Sequence, residues 1–434
     1  MRNPLKQIAL LLALAAVGVI LYSIFVKSLP ENLQVDFISE IKSENIIQDS
    51  INQVKDSLYN DSILVVGKGQ VELTGNLDAF FSGLDSLPGN TRSLHIAHFG
   101  DSQIEGDLLT SDLRDEMQKK FGGSGVGWMP MTSIVAGYRV TIGQQFNEAW
   151  DAPNIQDNSS PYTPGPTGQV FIGKSGASTT FTATKFAFNQ AWMFADPSSS
   201  GTIEYENNGQ KSAIHWPKEN KYYIALNDLK GKQINIKCSE GAPAIYGVNF
   251  ENGIGCYVDN FAYRGSSGSG LSQLPKPLFT SIEEVINYRL IILEFGLNVH
   301  GVGVSDYRNY EKSFDKTIKH VKSCFPNSSV LVIGISDKGR KIKGEWTSDV
   351  TVKDLEKAQR TAAQNNGCAF FSLYDAMGGE GSIVGWVQDS VPKLANNDYT
   401  HLSRDGTKVA GHMIFDYLMR SYDVYNQKKT NSKK

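Results

Sequence analysis

Phe99-Gly100-Asp101-Ser102-Gln103-Ile104-Glu105-Gly106-Asp107 is the stretch on which the reading of this chain turns. It follows an apolar run, Ser93-Leu94-His95-Ile96-Ala97-His98, that reads as a buried strand. After it, Leu108, Leu109, Leu113, Met117 and Phe121 recur at helical spacing. A serine on a sharp turn between buried strand and helix stands at the carboxyl edge of a parallel sheet, where open α/β folds bind ligands. It also lies beside a helix N-terminus, whose free N–H groups favour negative charge. The plainer reading of the same residues is that Asp101 and Ser102 cap the helix.

Two later stretches weigh against mere capping. Asn397-Asp398-Tyr399-Thr400-His401-Leu402 sets an aspartate three residues before a histidine, just ahead of the last helical pattern, Ser403 to Met419. Between the two ends, Leu290-Ile291-Ile292-Leu293-Glu294-Phe295-Gly296-Leu297-Asn298 is a buried strand running into Gly-x-Asn. Here the chain resembles the SGNH/GDSL hydrolase family. Its blocks are matched by Gly100-Asp101-Ser102, a glycine in Tyr263-Arg264-Gly265-Ser266, Gly296-x-Asn298 and Asp398-x-x-His401. A Gly-Asp-Ser tripeptide alone says little; four blocks in order, each at a strand end or before a helix, say much more.

The resemblance implies a flavodoxin-like three-layer α/β/α sandwich and ester hydrolysis by a serine triad. Ser102 would be the nucleophile, His401 the general base and Asp398 the residue that orients the imidazole. It also implies three oxyanion donors: the backbone N–H of Ser102, the backbone N–H of Gly265 and the side-chain amide of Asn298. Gly268 is the other register for that glycine. His95, His98, His215, His300, His320 and His412 have no acid beside them in a matching motif, and His98 reads as a packed strand histidine. No metal or cofactor is expected, since no phosphate loop, metal-spaced histidine pair or dinucleotide fingerprint is present.

Around these blocks strands at 93–99, 256–263, 290–295, 330–335 and 369–374 alternate with helices at 104–120, 308–323, 352–366 and 403–419, the pattern of a covered parallel sheet. The 434 residues and net charge of −3 leave room for one large domain or two, with no nucleic-acid footprint. The first part differs in kind. Ile8 to Val26 is apolar except for Ser23, with Arg2 and Lys6 before it and Lys27 after it. That length spans a bilayer, and a transmembrane signal anchor is expected at 8–26 after a cytoplasmic 1–7, in preference to a cleaved signal peptide, whose apolar core is shorter and is followed by a small-residue cleavage site. The rest of the chain would then lie outside the cytoplasm, in the periplasm. Residues 27–72 read as a tether, with Ile47, Ile51, Val54 and Leu58 on one helical face. The hydrolase domain is expected at 73–128 and 256–422, and a disordered basic tail at 423–434. Cys324 and Cys368 each close a predicted helix ahead of a predicted strand. A bridge between them and free buried thiols, alongside Cys238 and Cys256, are both open.

Between 129 and 255 short alternating runs separated by Gly, Pro, Asn and Ser replace the α/β pattern, predicting an inserted all-β sandwich. Its aromatics are Trp150, Phe181, Trp192, Trp216, Tyr222 and Tyr223, mostly core, with one or two free to stack on a sugar. This insertion, with Phe121 to Trp128 and with Gly378-Gly379 near Trp386, resembles the peptidoglycan O-acetylesterase branch of the family, where the insertion is a carbohydrate-binding-like jelly roll. That resemblance implies an O-acetylated glycan as partner, with Asp101, Trp128 and Trp386 as substrate contacts. An O-acetyltransferase using the same triad and a non-catalytic glycan-binding surface protein remain the alternatives.

Overall fold

The motif-bearing stretches owe their position to strands that are apolar on both faces, the signature of a parallel sheet covered on each side. In the computed structural model, residues 74–155, 160–217 and 221–432 are described. The anchor expected at 8–26 and the tether expected at 27–72 lie outside them. Among the described residues no helix is long and apolar enough to cross a membrane.

Five parallel strands form the central sheet: β1 (Leu94–Gly100), β2 (Cys256–Ala262), β3 (Tyr288–Glu294), β4 (Ser329–Gly334) and β5 (Ala369–Ser372), in the order β2-β1-β3-β4-β5. That is the flavodoxin-like order, and the direction of winding reverses at β1 and β3. Ala97, Phe99, Ile291, Leu293, Val330 and Val332 point to one face. There they pack with Leu278, Phe279 and Ile282 of helix α3 (Lys276–Val285), Phe314, Ile318 and Val321 of α4 (Arg308–Cys324), and Ala362 and Ala363 of α5 (Val352–Asn365). The opposite face is covered by α1 (Asp78–Ser86), α2 (Leu108–Phe121) and α6 (Arg404–Asn431). Each fully buried Leu, Ile, Val or Phe in these layers contributes about 1.5–3 kcal/mol.

Several boundaries differ from the sequence reading. β5 stops at Ser372, two residues early, because the Ser372 hydroxyl accepts the N–H of Asp375 at 3.0 Å and starts a short helix, Leu373–Met377. The tail from 423 is not disordered as far as it is described: α6 runs on to Asn431. Tyr422 and Tyr425 pack on Phe81 with ring centroids 5.4 and 5.5 Å apart, and Tyr422 and Lys429 both bind Asp85. All four cysteines are buried and free, so no Cys324–Cys368 bridge forms.

Residues between 127 and 251 form two antiparallel sheets. One is built on Ala244–Glu251 and Gln190–Ala195, the other on Gln233–Gly241 and Gly201–Asn207. Phe171, Phe181, Met193, Ile203, Ile234, Ile236, Val248 and Phe250 fill the space between them. The first sheet also leans on the α/β layers: Trp128, Phe194 and Tyr246 belong to the same apolar cluster as β1 and β3. The Tyr223 hydroxyl donates to Glu284 of α3 at 2.7 Å.

Candidate active site

The turn after β1 is built around a glycine that tolerates no side chain. A Cβ on Gly100 would sit 2.8 Å from the Ile104 side chain and 3.0 Å from the Glu294 carbonyl. Asp101 is buried, and its Oδ1 accepts the Gln103 N–H at 3.0 Å, closing a tight Asx turn that leaves Ser102 half-exposed. Neither residue caps α2. A short 3₁₀ turn, Glu105–Asp107, comes first, with Gly106 and Asp107 left-handed at φ 79° and 66°. The serine therefore stands one turn before the long helix rather than at its N-terminus.

His401 comes from the loop ahead of α6. The Ser102 hydroxyl donates to its Nε2 at 3.0 Å, and its Nδ1–H donates to Asp398 Oδ2 at 2.7 Å. The second oxygen of Asp398 accepts the backbone N–H groups of Thr400 and His401, both at 3.0 Å. Burial alone would push the Asp398 carboxyl up, but these bonds from His401 and the backbone hold it below the ordinary aspartate value. The loop is pinned at both ends. Asn396 N–H donates to the His401 carbonyl at 2.9 Å, and Ser403 caps α6 through the Gly406 N–H. Tyr399, left-handed at φ 53°, stacks on Trp346 at 4.1 Å and 12° and accepts a bond from Gln388 at 2.9 Å.

A methyl group at Gly406 would lie 1.7 Å from the Leu394 carbonyl, whose segment brackets this loop. Gly406→Ala is therefore expected to cost about 1–3 kcal/mol of stability by overpacking and to slow turnover by displacing His401. Denaturant unfolding beside an ester assay checks it; unchanged stability would contradict the crowding.

On the other side of Ser102, β2 and β3 deliver the remaining candidates. Gly296 at φ 142° turns the chain away from Ile335, whose Cβ a side chain would meet at 2.9 Å. Asn298 follows, exposed, with its amide donating to Asp101 Oδ2 at 3.1 Å and to the Ser266 carbonyl at 3.2 Å. Gly265 is exposed at φ 78° with no atom within 4 Å of where a Cβ would point. Gly268 is packed against the Phe295 ring, 2.7 Å from such a Cβ. Of the two registers, Gly265 is the one facing open space.

Sequence reasoning missed the polar chain beneath the turn. His98 is fully buried and bonds Glu294 at 2.9 Å through Nε2, while Thr110 donates to its Nδ1 at 3.3 Å. Asn260 in turn donates to Thr110 at 2.8 Å and to the Ile104 carbonyl at 2.9 Å. His95 likewise meets Asp259 at 2.9 Å and Glu251 at 3.4 Å. Burial works against its charge, but the two carboxylates win and push it up to about 10. Both histidines thus meet acids in the fold, delivered by other strands and outside any sequence motif.

Asp101 is pushed up to about 7, first by burial and then by the nearby Glu294 charge, against the Gln103 bond, the His401 charge and the Asn298 bond. An unfolded aspartate titrates at about 3.9. The folded protein therefore binds more protons than the unfolded chain between about pH 4 and 7, and this group's contribution to stability falls as pH rises through that window. Asp101→Asn should flatten that fall, as read from denaturation midpoints at a series of pH values. An unchanged slope would show that Asp101 does not titrate there.

All three expected substrate contacts are buried. Trp128 is 0% exposed, stacked on Phe194 and edge-on to Phe261, each at 5.1 Å. Trp386 is also buried, and its carbonyl accepts the Leu394 N–H at 2.9 Å, so it braces the His401 loop from below. Asp101 offers no exposed surface either and acts on Asn298 instead. Ile134 and Tyr138, from a loop that carried no motif, are also exposed beside Glu105 and Gly106 of this turn.

No protein-family model and no curated protein matches the chain. Among solved structures, the chain is similar to a peptidoglycan O-acetylesterase at 22% identity and TM-score 0.69, over 82% of this chain and 99% of that one. A family two carbohydrate esterase from Cellvibrio japonicus matches at 10% identity and TM-score 0.28, over 65% of this chain and 98% of that one. One from Clostridium thermocellum, in complex with cellohexaose, matches at 10% and 0.29, over 64% and 98%. Those two superpose too loosely to add weight. The first likeness, spanning nearly the whole of its counterpart, shows that the two chains share one fold.

Proposed function

We propose that this chain is a serine esterase that removes O-acetyl groups from a polysaccharide through an acetyl-Ser102 intermediate. The observation that carries the reading is the unbroken chain Ser102–His401–Asp398, at 3.0 and 2.7 Å, at the sheet's switch point. Ser102 Oγ attacks the acetyl carbonyl while its proton passes to His401 Nε2, and Asp398 stabilises the imidazolium. The N–H groups of Ser102 and Gly265 and the Asn298 amide would take the oxyanion. His401 then returns the proton to the departing sugar oxygen. A water deprotonated by His401 next releases acetate and restores the serine.

Hydrolysis is favoured over acetyl transfer to a second sugar because the pair is open to solvent: the side chains of His401 and Asp398 are 40% and 49% exposed. A transferase must keep water from competing.

Peptidoglycan is the substrate we favour, on the shared fold with a peptidoglycan O-acetylesterase. The test is acetate release from O-acetylated peptidoglycan and acetylated xylan side by side; release from xylan alone would move the enzyme to plant polysaccharide. We read the two β-sheets within 129–255 as a jelly-roll-like inserted domain that helps seat the glycan. We also read 8–26 as an anchor holding the catalytic part in the periplasm, on its charge-flanked apolar sequence. Deleting residues 1–28 should then move the protein from the membrane fraction to the soluble fraction with its activity on soluble esters unchanged. A full-length protein already soluble, with a new N-terminus, would show a cleaved signal instead.

A further inference from the structure

Beside the Ser102 turn lies a cavity of about 340 Å³, walled by Glu105 and Gly106 from that turn, Arg264 next to Gly265, and Arg139 and Thr167 from the inserted residues. Its charges do not balance. Arg114 takes both oxygens of the buried Asp107, at 2.9 and 2.8 Å. Arg139, only 4% exposed, reaches the same carboxylate at 3.2 Å. That approach lies outside hydrogen-bond geometry, and among the described residues its Nε and Nη1 have no hydrogen-bond partner. Two buried guanidiniums thus share one carboxylate. At the mouth, Arg264 and Glu105 neutralise each other at 2.6 Å. The Thr167 hydroxyl in the wall is buried and equally without a partner. A buried charge left uncompensated is costly, and a buried guanidinium is best matched by a planar carboxylate.

We propose that this cavity is a subsite for a carboxylate borne by the glycan, held by Arg139 and Thr167, so that the natural substrate is an acidic polysaccharide. This rests on the esterase reading. The excess of one positive charge suits a monoanion and not a phosphate dianion. The cavity's volume is at the small end for ligand pockets and suits a sugar substituent. Ile134 in its wall and Tyr138 beside Gly106, 85% and 64% exposed, offer an apolar rim on which the sugar ring can rest.

The experiment is equilibrium binding to the Ser102→Ala protein, which holds substrate without turning it over. Three probes are compared: a muramyl disaccharide with its lactyl carboxylate, a glucuronate disaccharide, and neutral diacetylchitobiose. At least one acid should bind about tenfold more tightly than chitobiose, and which one does so identifies the source of the carboxylate. Adding Arg139→Gln should collapse that ratio, and adding Thr167→Val should narrow it. A purely structural Arg139 would weaken acidic and neutral sugars together and leave the ratio intact, which would overturn the proposal. So would equal binding of all three sugars to the parent. Should Arg139→Gln fail to fold, as judged by its thermal transition, the Thr167→Val ratio decides. Absence of ester turnover in the unsubstituted protein would sink the esterase reading and leave these binding ratios readable.

Discussion

Ser102→Ala should lower hydrolysis of a small acetyl ester by on the order of 10⁴–10⁶-fold while the protein keeps its fold. The expectation is large because the His401 imidazole is committed to the serine and the aspartate. The imidazole is held by the 2.7 Å bond to Asp398 and spends its free nitrogen on the serine. The change should cost little stability, since Ser102 is half-exposed and the Asx turn that shapes its backbone is made by Asp101 and Gln103. His401→Ala should fall to a similar level, and the double variant no further, because members of one triad act as a unit. Steady-state rates with a chromogenic acetyl ester check this. A Ser102→Ala protein of full activity would remove the functional reading altogether.

Asn298→Ala is the second large effect, with an expected loss of about 10²–10³ in kcat for a lost oxyanion donor. The free structure argues for the lower part of that range. Both N–H groups of the amide already have acceptors, Asp101 at 3.1 Å and the Ser266 carbonyl at 3.2 Å. One must be given up for the oxyanion, which offsets part of the gain. KM should change little, since the amide meets charge that develops only in the transition state. A variant whose KM rises while kcat holds would make Asn298 a substrate anchor instead.

The strands and the site blocks were legible because both are written locally. A parallel strand is a short apolar run, and three of the four blocks follow one directly, as Gly100-Asp101-Ser102 follows Leu94 to Phe99, while Asp398-x-x-His401 stands just before the last helix. What escaped depends on residues far apart in the chain. Tyr425 and Lys429 look like a polar tail until Phe81 and Asp85 are set beside them. Glu294 and Asp259 find His98 and His95 across neighbouring strands, so no spacing rule pairs them. Trp128 and Trp386 stand near motifs in sequence yet are buried, for a tryptophan's position does not reveal which side of it faces solvent. One boundary could have been read: Ser372-x-x-Asp375 is a helix-start pattern inside what looked like a strand.

The most direct test of the central claim is rapid quenching of the enzyme with an activated acetyl donor, followed by mass mapping of its peptides. The account predicts one acetyl group, on the peptide containing Ser102 and on that residue, appearing before steady acetate release and absent from Ser102→Ala. Acetate released with no acetylated Ser102, or with the label on another side chain, would contradict it.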